Sequence, residues 1–253
     1  MDRSCPAVPS FRTQIYPRIY YAVTSRSRFR LGITMTIDLY YLPPSPPCRS
    51  VMMLGKHLGV RFNLKVVNVL KGEQLKSSFK KMNPQHTIPT IDDNGFILWE
   101  SRPIMTYLVM KYAKNDSLYP RDPKQRSVVE HRLYFDIGIL YDSIITYHAP
   151  VIFGKMDAPP EQCLPPMERA FELLDKYLQD SNFVAGETLT VADFSIASSV
   201  SSAKAFGFDI ERYDNVATWY ERCKKAMEKC GFEEINEAGA RVLGSFYKAN
   251  LKT

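Results

Sequence analysis

The sequence predicts an α/β domain followed by an all-helical one. Strand and helix signals alternate from about residue 35 to residue 115, whereas every periodic segment after residue 124 reads as helix. Between them the composition turns to Asn, Asp and Ser with Pro120 and Pro123, a linker signal. The divisions are therefore residues 35–115, a linker at 116–123, and residues 124–253. A chain of 253 residues can bury the cores of two such domains.

The elements follow in order. Residues 37–42 (IDLYYL) form a strand candidate, and residues 49–58 a helix closed by Gly59. Residues 61–69 alternate and are rich in β-branched side chains, which suits a second strand. A short helix over 73–82 stops before Asn83-Pro84, because a residue preceding proline disfavours helix. Residues 90–92 and 96–99 flank Asp93-Asn94-Gly95, a hairpin signal. Ser101 is expected to cap a helix running to about Ala113. In the second half, helices are expected over 125–148, 167–178, 191–206, 216–229 and 235–251. Thr190-Val191-Ala192-Asp193 opens the third of these as a variant capping box, a structural feature without chemistry.

Composition excludes some functions. The formal charge is +6, but residues 1–34 hold Arg3, Arg12, Arg18, Arg26, Arg28 and Arg30 against Asp2 alone. Subtracting that +5 leaves +1 for residues 35–253, so a nucleic-acid partner loses its electrostatic basis. The Arg- and Ser-rich leader, 1–34, lacks Lys and reads as an upstream-start extension ahead of Met35, with an organellar transit peptide as the weaker alternative. It is expected to lie outside the fold. No apolar run reaches the roughly 18 residues of a membrane span. Five cysteines (Cys5, Cys48, Cys163, Cys223 and Cys230) show neither metal-type nor disulfide-framework spacing, and their odd number points to a reducing compartment, the cytoplasm. No metal site is expected.

Two loops carry the chemistry. In Asn83-Pro84-Gln85-His86-Thr87-Ile88-Pro89-Thr90, the Ile-Pro directly before a strand is a setting for a cis bond. Glu100-Ser101-Arg102 follows where a strand ends and a helix begins, and helix N-termini attract carboxylates. Together they suit an extended, doubly charged, peptide-like ligand. A third segment, Leu42-Pro43-Pro44-Ser45-Pro46-Pro47-Cys48-Arg49, sets a hydroxyl beside the first helix, where a thiolate would be stabilised. Taken singly, Ser45 would be a turn serine, His86 a solvated loop residue and Glu100-Ser101 a plain helix start. Their joint occurrence decides otherwise.

These three motifs resemble the cytosolic glutathione transferases, and within them the insect delta/epsilon group. The resemblance extends over residues 36–251, including Arg132–Asp136 and Ala185–Asp193. It implies a thioredoxin-like glutathione-binding domain, a helical domain for a hydrophobic electrophile, and a homodimer, with glutathione as co-substrate and no other cofactor. By the same resemblance Ser45 is the catalytic serine, donating to the glutathione sulfur. Pro47, Thr87 and Ile88 contact glutathione, Ile88 through its backbone at the cysteinyl residue, and His86 stands near the glycyl carboxylate. Glu100 meets the γ-glutamyl ammonium, Ser101 its carboxylate with Arg102 beside it, and Asp136 anchors the network across the dimer.

The energetics are sufficient. A thiol of pKa ~8.5 is about 3% ionised at pH 7, and lowering it two units, about 2.7 kcal/mol, ionises roughly three-quarters of it. A hydrogen bond to a charged group contributes ~1.5–3 kcal/mol, and a helix N-terminus ~0.3–2 kcal/mol. For the second substrate, Tyr141, Ile144, Phe153 and Phe246 or Tyr247 are the candidate pocket residues. His148-Ala149 stands where the resemblance implies tyrosines, and Ala149 in place of an aromatic should widen the pocket; Pro44 replaces a common Gly. Two rivals stay open. One is a carrier that sequesters hydrophobic ligands with little turnover. The other is a thiol-disulfide oxidoreductase using Cys48, since Ser45-x-x-Cys48 mirrors the Cys-x-x-Cys spacing.

Overall fold

The computed structural model describes residues 36–252. The leader 1–34 and Cys5 lie outside the described residues. A thioredoxin-like four-stranded sheet with helices is followed by a helical domain, the glutathione-transferase fold expected from the motifs. The strands are β1 (Ile37–Tyr41), β2 (Phe62–Val66), β3 (Thr90–Asp93) and β4 (Phe96–Trp99), in the spatial order β2-β1-β3-β4. β1 and β2 run parallel, Leu39 opposite Leu64, and α1 (Pro46–Leu58) makes their crossover. β3 returns antiparallel to β1, and β4 antiparallel to β3. Asn94 (φ 55°) and Gly95 (φ 91°) sit at the tip of that hairpin, where a two-residue loop favours residues that tolerate positive φ.

Alternation decides the layers. Ile37, Leu39 and Tyr41 of β1 are buried on one face. They join Val51 and Leu54 of α1, Ile91, and Ile104 and Leu108 of α3 (Ser101–Tyr112) in one core. On the other face Tyr40 meets Phe79 of α2 (Ser77–Met82) edge to face, their rings 6.0 Å apart.

The chain then passes through a linker that is itself packed. Leu118 and Tyr119 are buried, and the Leu118 carbonyl accepts from the Val191 N–H at 2.9 Å. The helical domain comprises α4 (Pro123–Phe135), α5 (Tyr141–Ile152), α6 (Leu164–Leu178), α7 (Val191–Phe206), α8 (Asp214–Ala226) and α9 (Ala238–Asn250). Asp122 caps α4 through the Gln125 N–H at 2.9 Å. At the start of α7, Asp193 accepts from Thr190 N (2.8 Å) and the Thr190 hydroxyl (3.1 Å). Its other oxygen accepts from Val184 N (3.0 Å) and Trp219 Nε1 (2.9 Å), so the cap also ties a loop and α8 to α7.

Several expected boundaries shift. α1 begins at Pro46, three residues before the expected start, since prolines at the first two helical positions forgo N–H groups that would be unpaired there. The expected helix 73–82 divides at Lys76 into a 3₁₀ turn (Glu73–Leu75) and α2. The single helix expected over 125–148 is interrupted by a π-helical turn, Asp136–Leu140, between α4 and α5. Another π turn, Phe232–Glu237, precedes α9. Ser101 is the first helical residue of α3 instead of its cap, and Glu100 holds the cap position with φ 69°.

Candidate functional site

The ends of three elements converge. β4 delivers Glu100 to the start of α3, the loop from Asn83 to Thr90 crosses beside it, and α1 begins at Ser45. Between them lies a cavity of about 180 Å³ lined by Pro47, Thr87, Ile88, Pro89, Glu100, Ser101, Arg102, Ile137 and Tyr141. Seven of the expected site residues are thus brought to one wall system, drawn from segments far apart in sequence. A larger, polar depression of about 320 Å³ lies in the helical domain around Leu178, Glu187 and Arg222 and shares no residue with this cavity.

Local chemistry fixes the cavity's loop. Ile88-Pro89 is cis. Asn83, fully buried, donates to the Thr87 carbonyl (3.0 Å) and the Thr90 hydroxyl (3.0 Å), and its side-chain oxygen accepts from Gln85 N (2.9 Å). Thr90 in turn donates to the Thr87 carbonyl at 3.0 Å. This staple holds the turn that presents Thr87 and Ile88. His86 is exposed with φ 47° and does not line the cavity. Glu100, at φ 69°, is a strained non-glycine residue, and such positions concentrate at functional sites.

Behind the wall stands a buried ion pair. Arg102 donates to Ser101 Oγ (3.0 Å) and to Asp136 Oδ2 (2.5 Å). Asp136 has no exposed surface and also accepts from the hydroxyls of Ser195 (2.5 Å) and Ser199 (2.7 Å) of α7. Its partners, Arg102, Ser195 and Ser199, belong to the same chain, and being buried it supports the site from behind. The π turn that begins at Asp136 turns it inward while Ile137 reaches the cavity. The Arg102 guanidinium also lies 5.2 Å from the Tyr141 ring centroid, and burial pushes the Tyr141 hydroxyl up to about 12.

Ser45 is the N-cap of α1 with extended backbone (φ −68°, ψ 121°), half-buried and outside the cavity lining, which α1 reaches two residues on at Pro47. Its side chain favours the ionised form of the Cys48 thiol, an effect smaller than that of burial. Cys48 has no exposed surface, and burial pushes its thiol up to about 11, the opposite of what a redox thiol needs. That argues against the oxidoreductase reading.

The expected hydrophobic pocket is only partly realised. Tyr141 lines the cavity, but Ile144 has no exposed surface and Tyr247 is 5% exposed, so both belong to the core. Phe153 is exposed at the end of α5, away from the cavity. His148 likewise faces the core, stacked on Phe206 at 4.4 Å and set edge-on to Tyr247 at 5.1 Å. Burial lowers its pKa to about 4, so it stays neutral there. His148 is therefore part of the core packing. Three residues escaped the sequence reading: Ile137, Asn83 as a staple, and buried Arg49. Only Asn83 left a signal, since Asn side chains commonly bond to backbone two residues on.

Known proteins match this geometry. Residues 39–116 match the family described as "Glutathione S-transferase, N-terminal domain", and residues 161–222 match "Glutathione S-transferase, C-terminal domain". The chain is similar to glutathione S-transferase D7 of Anopheles gambiae, 44% identical over 220 residues, 86% of this chain and all of the relative. Its fold is similar to the solved Bombyx mori glutathione transferase BmGSTD1 (TM-score 0.81, 47% identity, 83% of this chain and 97% of that one). It is also similar to an epsilon-class glutathione S-transferase from the housefly, Musca domestica (TM-score 0.80, 37% identity, 86% and 100%).

The state of Cys48 is directly testable. Native protein treated with iodoacetamide at pH 8 should leave Cys48 unmodified by mass spectrometry, since a thiol of pKa about 11 is only ~0.1% ionised there. Labelling of Cys48 as fast as in the unfolded chain would reinstate it as a reactive thiol.

Proposed function

This chain belongs to the glutathione S-transferase family, and we propose that it ionises the glutathione thiol at Ser45 and adds it to apolar electrophiles. The convergence of Pro47, Thr87, Ile88, Glu100, Ser101, Arg102 and Tyr141 on one cavity is the observation that carries this reading. It supports a tripeptide lying from the start of α3 to the start of α1. Glu100 would meet the γ-glutamyl ammonium, and Ser101 with the α3 N-terminus its carboxylate. The backbone of Ile88 would pair with the cysteinyl residue, and exposed His86 would face the glycyl carboxylate. Arg102, neutralised by Asp136, holds Ser101 in place from behind.

In the chemical step the glutathione thiol gives up its proton to solvent, and the Ser45 hydroxyl donates to the thiolate that remains. The thiolate then forms a carbon–sulfur bond at an electrophilic carbon, and either the leaving group departs with its bonding pair or the double bond of an acceptor opens and takes a proton from solvent. Ser45 acts as a donor only, neither base nor nucleophile. The electrophile would sit against Tyr141 and Ile137, the apolar side of the cavity. Detoxification in the cytoplasm is the setting this chemistry suits, and among the described residues no helix is long and apolar enough to cross a membrane.

A homodimer is part of the proposal. Large apolar side chains are exposed on β4, α3 and α4: Phe96 (49%), Met110 (62%), Val128 (40%) and Tyr134 (71%). Light scattering should give twice the chain mass, and Phe96→Glu with Met110→Glu should give the monomer. A monomeric wild type would remove the dimer from the account.

The transferase mechanism is tested by conjugation of glutathione to 1-chloro-2,4-dinitrobenzene as a function of pH. Ser45→Ala should lower kcat/KM roughly 10- to 100-fold near neutral pH, the loss expected for one hydrogen bond to a charged group. Its apparent pKa should rise by about one to two units. An unchanged rate and profile would show that Ser45 does not hold the thiolate, and tight glutathione binding without turnover in wild type would favour the carrier.

A further inference from the structure

Charge is spread unevenly over the folded body. Residues 61–86 hold Arg61, Lys65, Lys71, Lys76, Lys80 and Lys81 against one acid, Glu73, a net of +5 within residues 35–253, which carry +1. This segment comprises β2, the turns after it and α2. The fold sharpens the imbalance. Glu73 turns back on its own chain, where its carboxylate accepts from the Asn68 N–H at 2.7 Å and lies 3.7 Å from Lys76 Nζ. Lys65 is matched by Asp38 at 3.8 Å. Arg61, Lys71, Lys80 and Lys81 are exposed and have no carboxylate within ion-pair distance among the described residues.

Large aliphatic side chains stand open in the same segment: Leu64 (45%), Val66 (58%) and Leu75 (50%). Leu64 and Val66 pair in register with Leu39 and Tyr41 of β1, which are buried. They therefore share the sheet face that packs on α1, but at its uncovered margin, since β2 is an outer strand. α2 packs on the other face through Phe79 and Tyr40, so cations and aliphatics together wrap the outer edge of β2. That edge stays open in the proposed dimer, whose face includes β4 at the opposite side of the sheet.

The pairing of unmatched cations with exposed aliphatics selects a partner. An anionic bilayer offers phosphates to the first and hydrocarbon to the second. A single-stranded nucleic acid calls for exposed aromatic rings on which bases stack. In this segment Phe79 is buried and Phe62 half-buried.

We propose that the outer edge of β2, with the turns that follow and α2, is a docking surface for an anionic lipid bilayer. Arg61, Lys71, Lys80 and Lys81 would meet the headgroups, and Leu64, Val66 and Leu75 would enter the boundary with the acyl chains. α2 runs directly into the loop whose Thr87 and Ile88 line the cavity. Docking would thus hold the candidate site near the membrane, where apolar molecules concentrate. The surface shares no residue with the cavity, so the proposal stands apart from the transferase reading.

Cosedimentation of the full chain with vesicles tests it. One set is phosphatidylcholine alone and the other contains about one-third phosphatidylserine. Wild type should bind the second set and not the first at near-physiological salt. Lys71→Glu with Lys80→Glu and Lys81→Glu should weaken binding roughly 100-fold or more. Leu64→Asn with Leu75→Asn should weaken it roughly tenfold. Both variants should conjugate glutathione to 1-chloro-2,4-dinitrobenzene at the wild-type rate without vesicles, a check that they fold. The leader arginines are common to all three proteins, so differences between them report this surface. Absence of wild-type binding, or binding indifferent to the charge reversals, would overturn the proposal. So would binding that the reversals abolish and the leucine substitutions leave untouched, which would point to an acidic macromolecule in place of the bilayer.

Discussion

Two opposite charges buried against one helix hold the molecule and its candidate site together. α7 is buried along nearly its whole length, and five of its buried residues are serines: Ser195, Ser198, Ser199, Ser201 and Ser202. Ser195 and Ser199 hold Asp136, which neutralises Arg102 behind the start of α3. The hydroxyls of Ser201 and Ser202 and the backbone carbonyl of Ser198 hold Arg49, which reaches in from the start of α1. Hydroxyls fit this task because they rotate to donate to a carboxylate or to accept from a guanidinium. Breaking a buried pair of this kind costs about 3–5 kcal/mol, since the charge left behind stays out of water. The first domain's two helix starts are thus fixed from the second domain.

The ligand-facing residues are held in place by parts that do not face the ligand. Asn83 staples the turn before cis-Pro89, Asp136 steadies Arg102, and Arg102 steadies Ser101. Glu100 is held at φ 69° between β4 and α3. Such preparation limits the ordering that a flexible tripeptide would otherwise demand on binding. Cys48 shows the complementary point: a thiol beside a helix start is not reactive when it has no exposed surface.

Much of this was legible in the residues. Alternation in β1, the Asn94-Gly95 turn and the Thr190–Asp193 cap marked the fold, because each is a local rule the tertiary structure also obeys. The three loop motifs marked the ligand, because turn chemistry and helix starts leave residue-type signatures. What was not legible depends on distant partners. Nothing local marks the π turn at Asp136, which turns Asp136 inward and Ile137 outward. The expected pocket residues Phe153 and Tyr247 read equally well as wall or core, and burial places Tyr247 in the core, along with Ile144. Arg49 sat in a polar-looking segment, and its burial is set by residues about 150 and 187 positions away in sequence.

The central claim is that the start of α1, with Ser45, is built to ionise a thiol. The most direct measurement is a spectroscopic titration of the thiolate absorbance of glutathione bound to the wild-type protein. A bound thiol ionising about two units below its free value of roughly 8.5 is the result expected from the hydrogen bond and the helix start beside it. A bound thiol that titrates like free glutathione would contradict the account, because the site would then hold the peptide without activating it.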